Sequence, residues 1–181
     1  MPNYQRFSNE NRLTRVQDSY KLGYLAEDVK VQYKSAVNVS LDDIVIDSKE
    51  GDISSIPKWL AQNFVESGIV AINDKDNAAY VSRTLNLERI ARAHDLSGIN
   101  ADFYIRVNDY LSSLDEKDRE RIIVSLNSFV VSRIEKIVKL AAASALTAAI
   151  REKLSVEERE LYDLIHESTS AFKKRVLRKF G

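Results

Sequence analysis

From Val29 to Lys34 apolar and polar residues alternate, with Val29, Val31 and Tyr33 on one side and Lys30, Gln32 and Lys34 on the other. Period two is the signature of a half-buried strand. "VNVSL" and "DIVID" predict two further strands, with "KEGD" (residues 49–52) as a turn. The stretch "SSIPKWLAQNFVESGIVAI" (residues 54–72) predicts a short helix followed at once by a β-branched strand. Pro57 suits the first helical position, where a missing N–H costs nothing. Gly68 suits the residue just past the end, where left-handed backbone closes a helix. Leu60 and Phe64, four apart, share one face, and this helix supplies the cover that one apolar face of a small sheet needs. Trp59, the only tryptophan, needs covering too.

After "NDKDN" (Asn73–Asn77), expected to be a linker, the period changes to three and four. "TLNLERIARAH" and "ADFYIRVNDYLSSL" predict helices, the second capped by Asn100 or Asp102. Residues 115–153 predict one long helix with its acids in the first turns, the favourable end of the dipole. Ser155 and Glu158 form a capping box for the last helix. Leu161, Ile165, Ser168, Phe172, Val176 and Phe180 then recur at steps of three and four, so the C-terminal helix is expected to dock along this stripe.

The long helix carries two stripes. Ile123, Leu126, Val130, Ile134, Ile137 and Ala141 make the first; Val124, Val131 and Val138, at steps of seven, make the second. Ile122 and Phe129 widen the apolar surface, while Ser125, Ser128, Ser132, Glu135 and Lys139 leave a narrow polar strip. A surface helix needs an apolar arc of roughly 100°; this one exceeds it. Either the helix is central to its own bundle, or its own chain covers one side and a partner the other. On the second reading Val124, Phe129, Val131 and Val138 are the candidate subunit interface. The expected fold class is α+β. Residues 1–23 form an N-terminal extension, 24–76 a small β-rich domain with one short helix, and 77–181 a larger all-α domain.

Composition narrows the chemistry. The 181 residues are 44% hydrophobic and 30% charged, with a formal net charge of +0, which disfavours wholesale coating of nucleic acid. Cysteine is absent, which removes disulfides, zinc–thiolate sites and thiol nucleophiles. "MPNYQRFSNENRLTRV" has no apolar core of a signal peptide, and "KLAAASALTAAI" is too short to span a bilayer, so a soluble intracellular protein is expected. There is no phosphate-binding glycine loop and no H-E-x-x-H motif. His94 and His166 stand apart with no ligand-spaced partner and read as surface or helix-end residues. Asp42-Asp43 looks like a turn device and Glu157-Glu158 a helix N-terminus; neither pair flanks a nucleophile. No catalytic, cofactor or metal site is expected. Lys173, Lys174, Arg175, Arg178 and Lys179 form a basic patch. These cations complement a helix C-terminus, or they contact phosphate or an acidic partner. Phe172, on the stripe expected to dock, is not expected to stack on bases.

Three short motifs in order carry a resemblance: "YLAED" (residues 24–28), "SLDDI" (residues 40–44) and "IPKWLAQN" (residues 56–63), ahead of the long-helix bundle. The succession resembles the GINS complex proteins, the tetrameric scaffold of the replicative helicase. It is similar to the β-domain-first branch, that of the second and third Psf subunits, and continues through most of residues 24–180. The first ~20 residues have no counterpart near that branch's usual start. The insertion before the P-x-W-L-A helix is reduced to "SKEGDISS", so the chain looks archaeal.

The resemblance implies a non-catalytic subunit that pairs with a helix-first GINS subunit in a two-plus-two heterotetramer. It implies further contacts with the MCM helicase and a RecJ-like protein, nucleic acid touched only indirectly or weakly, no membrane, and a cytoplasmic, chromosome-associated place. It also implies that Pro57, Trp59, Leu60 and Phe64 anchor the small domain, with Trp59 covered by its own chain. The alternative from the residues alone is a stand-alone nucleic-acid-binding module using the basic C-terminal helix.

Overall fold

The structure, a computed structural model, describes the backbone of residues 3–41, 44–92 and 95–178 and the side chains of residues 14–40, 45–92 and 95–178. His94, the Asp42-Asp43 pair, Lys179 and Phe180 lie outside the described residues. The chain opens with helix α1 (Asn3–Leu25), so most of the expected N-terminal extension is helical. Two compact units follow from the packing: one holds Lys21–Ala78, the other the described residues up to Tyr20 and from Ala79 on. The class is α+β, a strand-rich unit with one short helix and a larger helical unit.

In the strand-rich unit, β1 (Asp28–Tyr33) is the middle of a three-stranded antiparallel sheet, between β4 (Ile53–Pro57) and β5 (Val70–Ile72). Strands β2 (Val37–Leu41) and β3 (Ile44–Ser48) pair separately as a hairpin. The alternation in β1 holds: Val29, Val31 and Tyr33 are buried and the residues between them exposed. Helix α2 (Lys58–Glu66) packs Leu60, Ala61 and Phe64 onto Val31, Ile56 and Val70 in one core.

Three expectations in this unit are corrected. Ser54–Pro57 do not begin the helix. They pair with β1 as far as Asp28, and Pro57, with ψ 138°, is still extended at the N-cap position. Trp59 is not covered: it is 42% exposed, because the buried arc of α2 runs through Leu60, Ala61 and Phe64 and leaves Trp59 outside it. Asn73–Asn77 is not irregular throughout, since α3 (Lys75–Ile90) starts inside it and Asp74 Oδ1 accepts the Asn77 N–H at 3.2 Å, although the two units divide just after it, between Ala78 and Ala79. The end of α2 is as expected. Gly68 has φ 71°, its N–H donates to Val65 O and that of Ile69 to Phe64 O, a complete Schellman closure.

The residue next to Trp59 takes the interior place. Lys58 is buried and donates through Nζ to the Tyr24 hydroxyl and to Asp74 Oδ2. Its aliphatic stem leaves the ammonium over the Tyr24 ring, 4.2 Å from the centroid. Tyr24 of "YLAED" and Lys58 of "IPKWLAQN" thus meet in one buried cluster.

The helical unit continues α3 with α4 (Phe103–Ser113), α5 (Glu116–Ala143), α6 (Ala148–Arg151) and α7 (Val156–Leu177). Asp102 occupies the N-cap position of α4, but its carboxylate goes to Arg106 instead of the backbone. The long helix stops at Ala143, ten residues short of the expected end. Ser144 is extended, its carbonyl accepts the Tyr162 hydroxyl at 3.0 Å, and Thr147 caps the separate α6. Two clusters form the core, one around Val81, Phe103, Val107 and Phe129, the other around Leu96, Ile137, Leu154 and Tyr162. Among the described residues no helix is long and apolar enough to cross a membrane.

Candidate functional site

Two surfaces of α5 divide the functional question: an inner face that organises the bundle and an outer face whose valines are exposed among the described residues. The inner face is centred on a cation. Arg133 is 1% exposed and forks to Glu158, with Nε to Oε1 at 2.5 Å and Nη2 to Oε2 at 2.7 Å. Its Nη1 donates to Glu88 Oε2 and to Ser97 O, both at 2.9 Å, and Nη2 also reaches Lys153 O. Lys136, one turn on, donates to the other Glu88 oxygen, and Tyr104 OH donates to Glu158 Oε1. The buried group therefore joins α3, α4, α5 and α7 with the segments before α4 and α7.

Electrostatics follow from this closure. Burial opposes ionisation of Glu88, yet the hydrogen bonds from Lys136 and Ser97 and the Arg133 charge outweigh it and hold the carboxyl below its ordinary value. Burial likewise opposes the Arg133 charge, and Glu158 and Glu88 more than compensate, so its pKa is raised. The Tyr104 phenol is pushed well up by burial and then by the Glu158 charge beside it. All three effects favour charged Glu88 and Arg133 and a neutral Tyr104, which suits a structural lock.

Sequence reading missed Arg133 and Lys136. A signal was present, because Arg133 lies four residues from both Phe129 and Ile137, in the middle of the apolar arc. The arc is consequently rotated from the expected stripe. Phe129 and Ile137 are buried, but Ile123 and Ile134 are exposed. Phe129, expected at a subunit interface, is a core residue instead, with its ring 5.0 Å from that of Phe103. The three valines differ: Val124 is 67% exposed, Val131 57% and Val138 41%. The three valines lie on the side of α5 opposite Arg133, and exposed Ile134 borders them on the flank between the two sides.

Residues 73–177, more than half of the chain, match the family model of the GINS complex protein helical bundle domain, Sld5. The chain belongs to the GINS complex proteins. No curated protein matches it by sequence.

In this GINS chain the capping box of α7 is complete: Ser155 Oγ accepts the Glu158 N–H, and Glu158 reaches back to the Ser155 N–H. α5 and α7 run in the same direction, for Glu158 at the start of α7 meets Arg133 past the middle of α5, and His166 Nδ1, farther along α7, lies 2.9 Å from Ala141 O near the end of α5. His166 is therefore half-buried against a helix end. α5 stops at Ala143 while α7 continues to Leu177, so the last turns of α7 outrun their support. The expected docking of the C-terminal stripe fails there. Phe172 is 68% exposed, as is Leu177. Lys173, Lys174, Arg175 and Arg178 are exposed around them, and Lys173 Nζ reaches back to Ala142 O.

Proposed function

We propose that this GINS chain is a non-catalytic scaffold subunit acting in DNA replication, of the β-domain-first, archaeal type. It pairs with a helix-first GINS subunit in a two-plus-two heterotetramer and bridges the MCM replicative helicase and a RecJ-like protein. The family match supports assembly with other GINS subunits. The order of "YLAED", "SLDDI" and "IPKWLAQN" ahead of the matched bundle supports the branch. The observation that carries the assembly reading is the set of Val124, Val131, Ile134 and Val138, exposed apolar side chains on a helix that buries Phe129, Arg133, Ile137 and Ala141 on another side. Exposed aliphatic side chains recurring on one side of a helix in this way are characteristic of protein–protein contact.

Co-expression with a helix-first subunit, followed by native mass measurement, tests this reading. The expected mass is that of two copies of each chain. Val131→Glu keeps the helical circular dichroism of the chain and abolishes the complex. Normal assembly by that variant removes these side chains as the interface, and co-purification with MCM or a RecJ-like protein tests the bridge separately.

A further inference from the structure

Trp59 is the only tryptophan of the chain, and it is 42% exposed. Helical periodicity gives its neighbours. At 100° per residue, Trp59, Gln62, Asn63 and Glu66 fall within about 100° of arc, and the buried Leu60, Ala61 and Phe64 lie outside it. The outward face of α2 is therefore an indole, two amides and a carboxylate. Asn63 Nδ2 donates to Trp59 O at 2.7 Å, which holds that amide against the first turn.

No cation of α2 shares this face. Lys58 is the only one the helix has, and it turns inward onto Tyr24 and Asp74. Glu66 is exposed, and among the described residues it makes no ion pair. It sits in the last turn, the negative end of the helix dipole, where a carboxylate is poorly placed without a cation and where α2 supplies none. The wider field has the same sign. Residues 21–78 hold six Lys against ten Asp and Glu, a net of −4, in a chain whose formal net charge is +0.

An exposed indole on an anionic surface is matched by a cationic side chain. The face of a tryptophan ring attracts Lys or Arg more strongly than that of the other aromatic residues, and tryptophan is among the commonest anchors of protein contacts. Trp59 and Glu66 are seven residues apart, about 10 Å along the helix axis. About three residues of extended chain cover the same distance. A segment with cations at that spacing places one on the ring and the next on the carboxylate.

We propose that the outward face of α2 docks a basic segment of a partner protein, with an Arg or Lys on the Trp59 ring and a second cation at Glu66. This surface belongs to the strand-rich unit and is separate from the valines of α5.

The test is fluorescence anisotropy of the purified full chain with a labelled peptide that has arginine at every third position and alanine between. The peptide should bind at low salt and weaken as salt screens the charges. The emission of the single tryptophan should shift as the peptide covers it. Trp59→Ala should weaken binding roughly two- to thirty-fold. Glu66→Gln should weaken it and flatten the salt dependence while the emission shift remains. Both positions are exposed, and circular dichroism verifies the fold of each variant. No binding at low salt overturns the proposal, as does an unmoved emission. Binding that both substitutions leave unchanged also overturns it, by assigning the attraction to the net charge of the unit alone. So does self-association of the chain that Trp59→Ala abolishes, which would make the occupant a second copy.

Discussion

Arg133 and Glu158 meet as a two-pronged pair, with both carboxylate oxygens held by one guanidinium at 2.5 and 2.7 Å. Glu158 is at the same time the third residue of α7 and closes its capping box onto Ser155. The start of α7 is thus positioned by the middle of α5, and helix nucleation and bundle packing share one side chain. Burying ions carries a desolvation cost that only such complete pairing offsets. The arrangement selects a single register of α7 on α5, because a shift of one residue would leave two charges buried and unpaired.

Removing the cation should therefore be severe. Arg133→Ala leaves Glu88 and Glu158 buried beside a void, and a loss of about 3–5 kcal/mol is expected in urea unfolding of the full chain. A loss below about 1 kcal/mol would mean that water reaches both carboxylates. Glu158→Gln keeps the shape and weakens the charge pairing, so it should fall between Arg133→Ala and the unaltered chain.

Acid sensitivity should trace to the same group. The Glu88 carboxyl is held below its ordinary value of 4.5 in the folded chain. A depressed carboxyl contributes stability that is complete above the unfolded value and lost as pH falls through the folded one. Stability should hold above pH 4.5 and decline below it. Glu88→Gln should be less stable at neutral pH and show a shallower acid limb, measured as melting temperature against pH. An acid limb of unaltered steepness would assign the proton uptake elsewhere.

Helix α2 offers a contrast between neighbours. Trp59→Ala should cost about 1 kcal/mol or less, because the ring is largely in water. Leu60→Ala, one residue on and buried in the β core, should cost about 2–5 kcal/mol. Guanidinium unfolding followed by a probe of the strand-rich unit distinguishes them. Equal losses would place Trp59 in the core after all.

On α5 the two faces should behave oppositely. Ile137→Ala should cost about 2–5 kcal/mol from an emptied core site. Val131→Ala should leave the isolated chain within about 0.5 kcal/mol of its starting stability. Thermal unfolding of both variants as isolated chains checks the pair. A large loss from Val131→Ala would show that face to be packed within the chain.

Local patterns determined a good deal from the sequence alone. The alternation of Val29, Val31 and Tyr33, the closing Gly68 and the Ser155–Glu158 box each depend on residues within one or two turns, and each stands in the structure as its pattern predicts. The α+β order followed from the change of period after β5, because periodicity reports which side of an element is apolar. It does not report what an ionic side chain within that side will meet. Lys58 and Arg133 turn inward only because partners distant in the chain are waiting: Tyr24 for Lys58, and Glu88 and Glu158, 45 and 25 residues away, for Arg133. Neither proline nor glycine ends α5 at Ala143. The extended Ser144 and the Tyr162 hydroxyl on its carbonyl mark the break, a long-range contact that residue propensities do not encode. That break exposes Phe172 on a stripe whose spacing, by itself, is that of a docked helix. Tertiary structure decided these points because burying a charge or ending a helix is a balance struck with residues the local sequence does not contain.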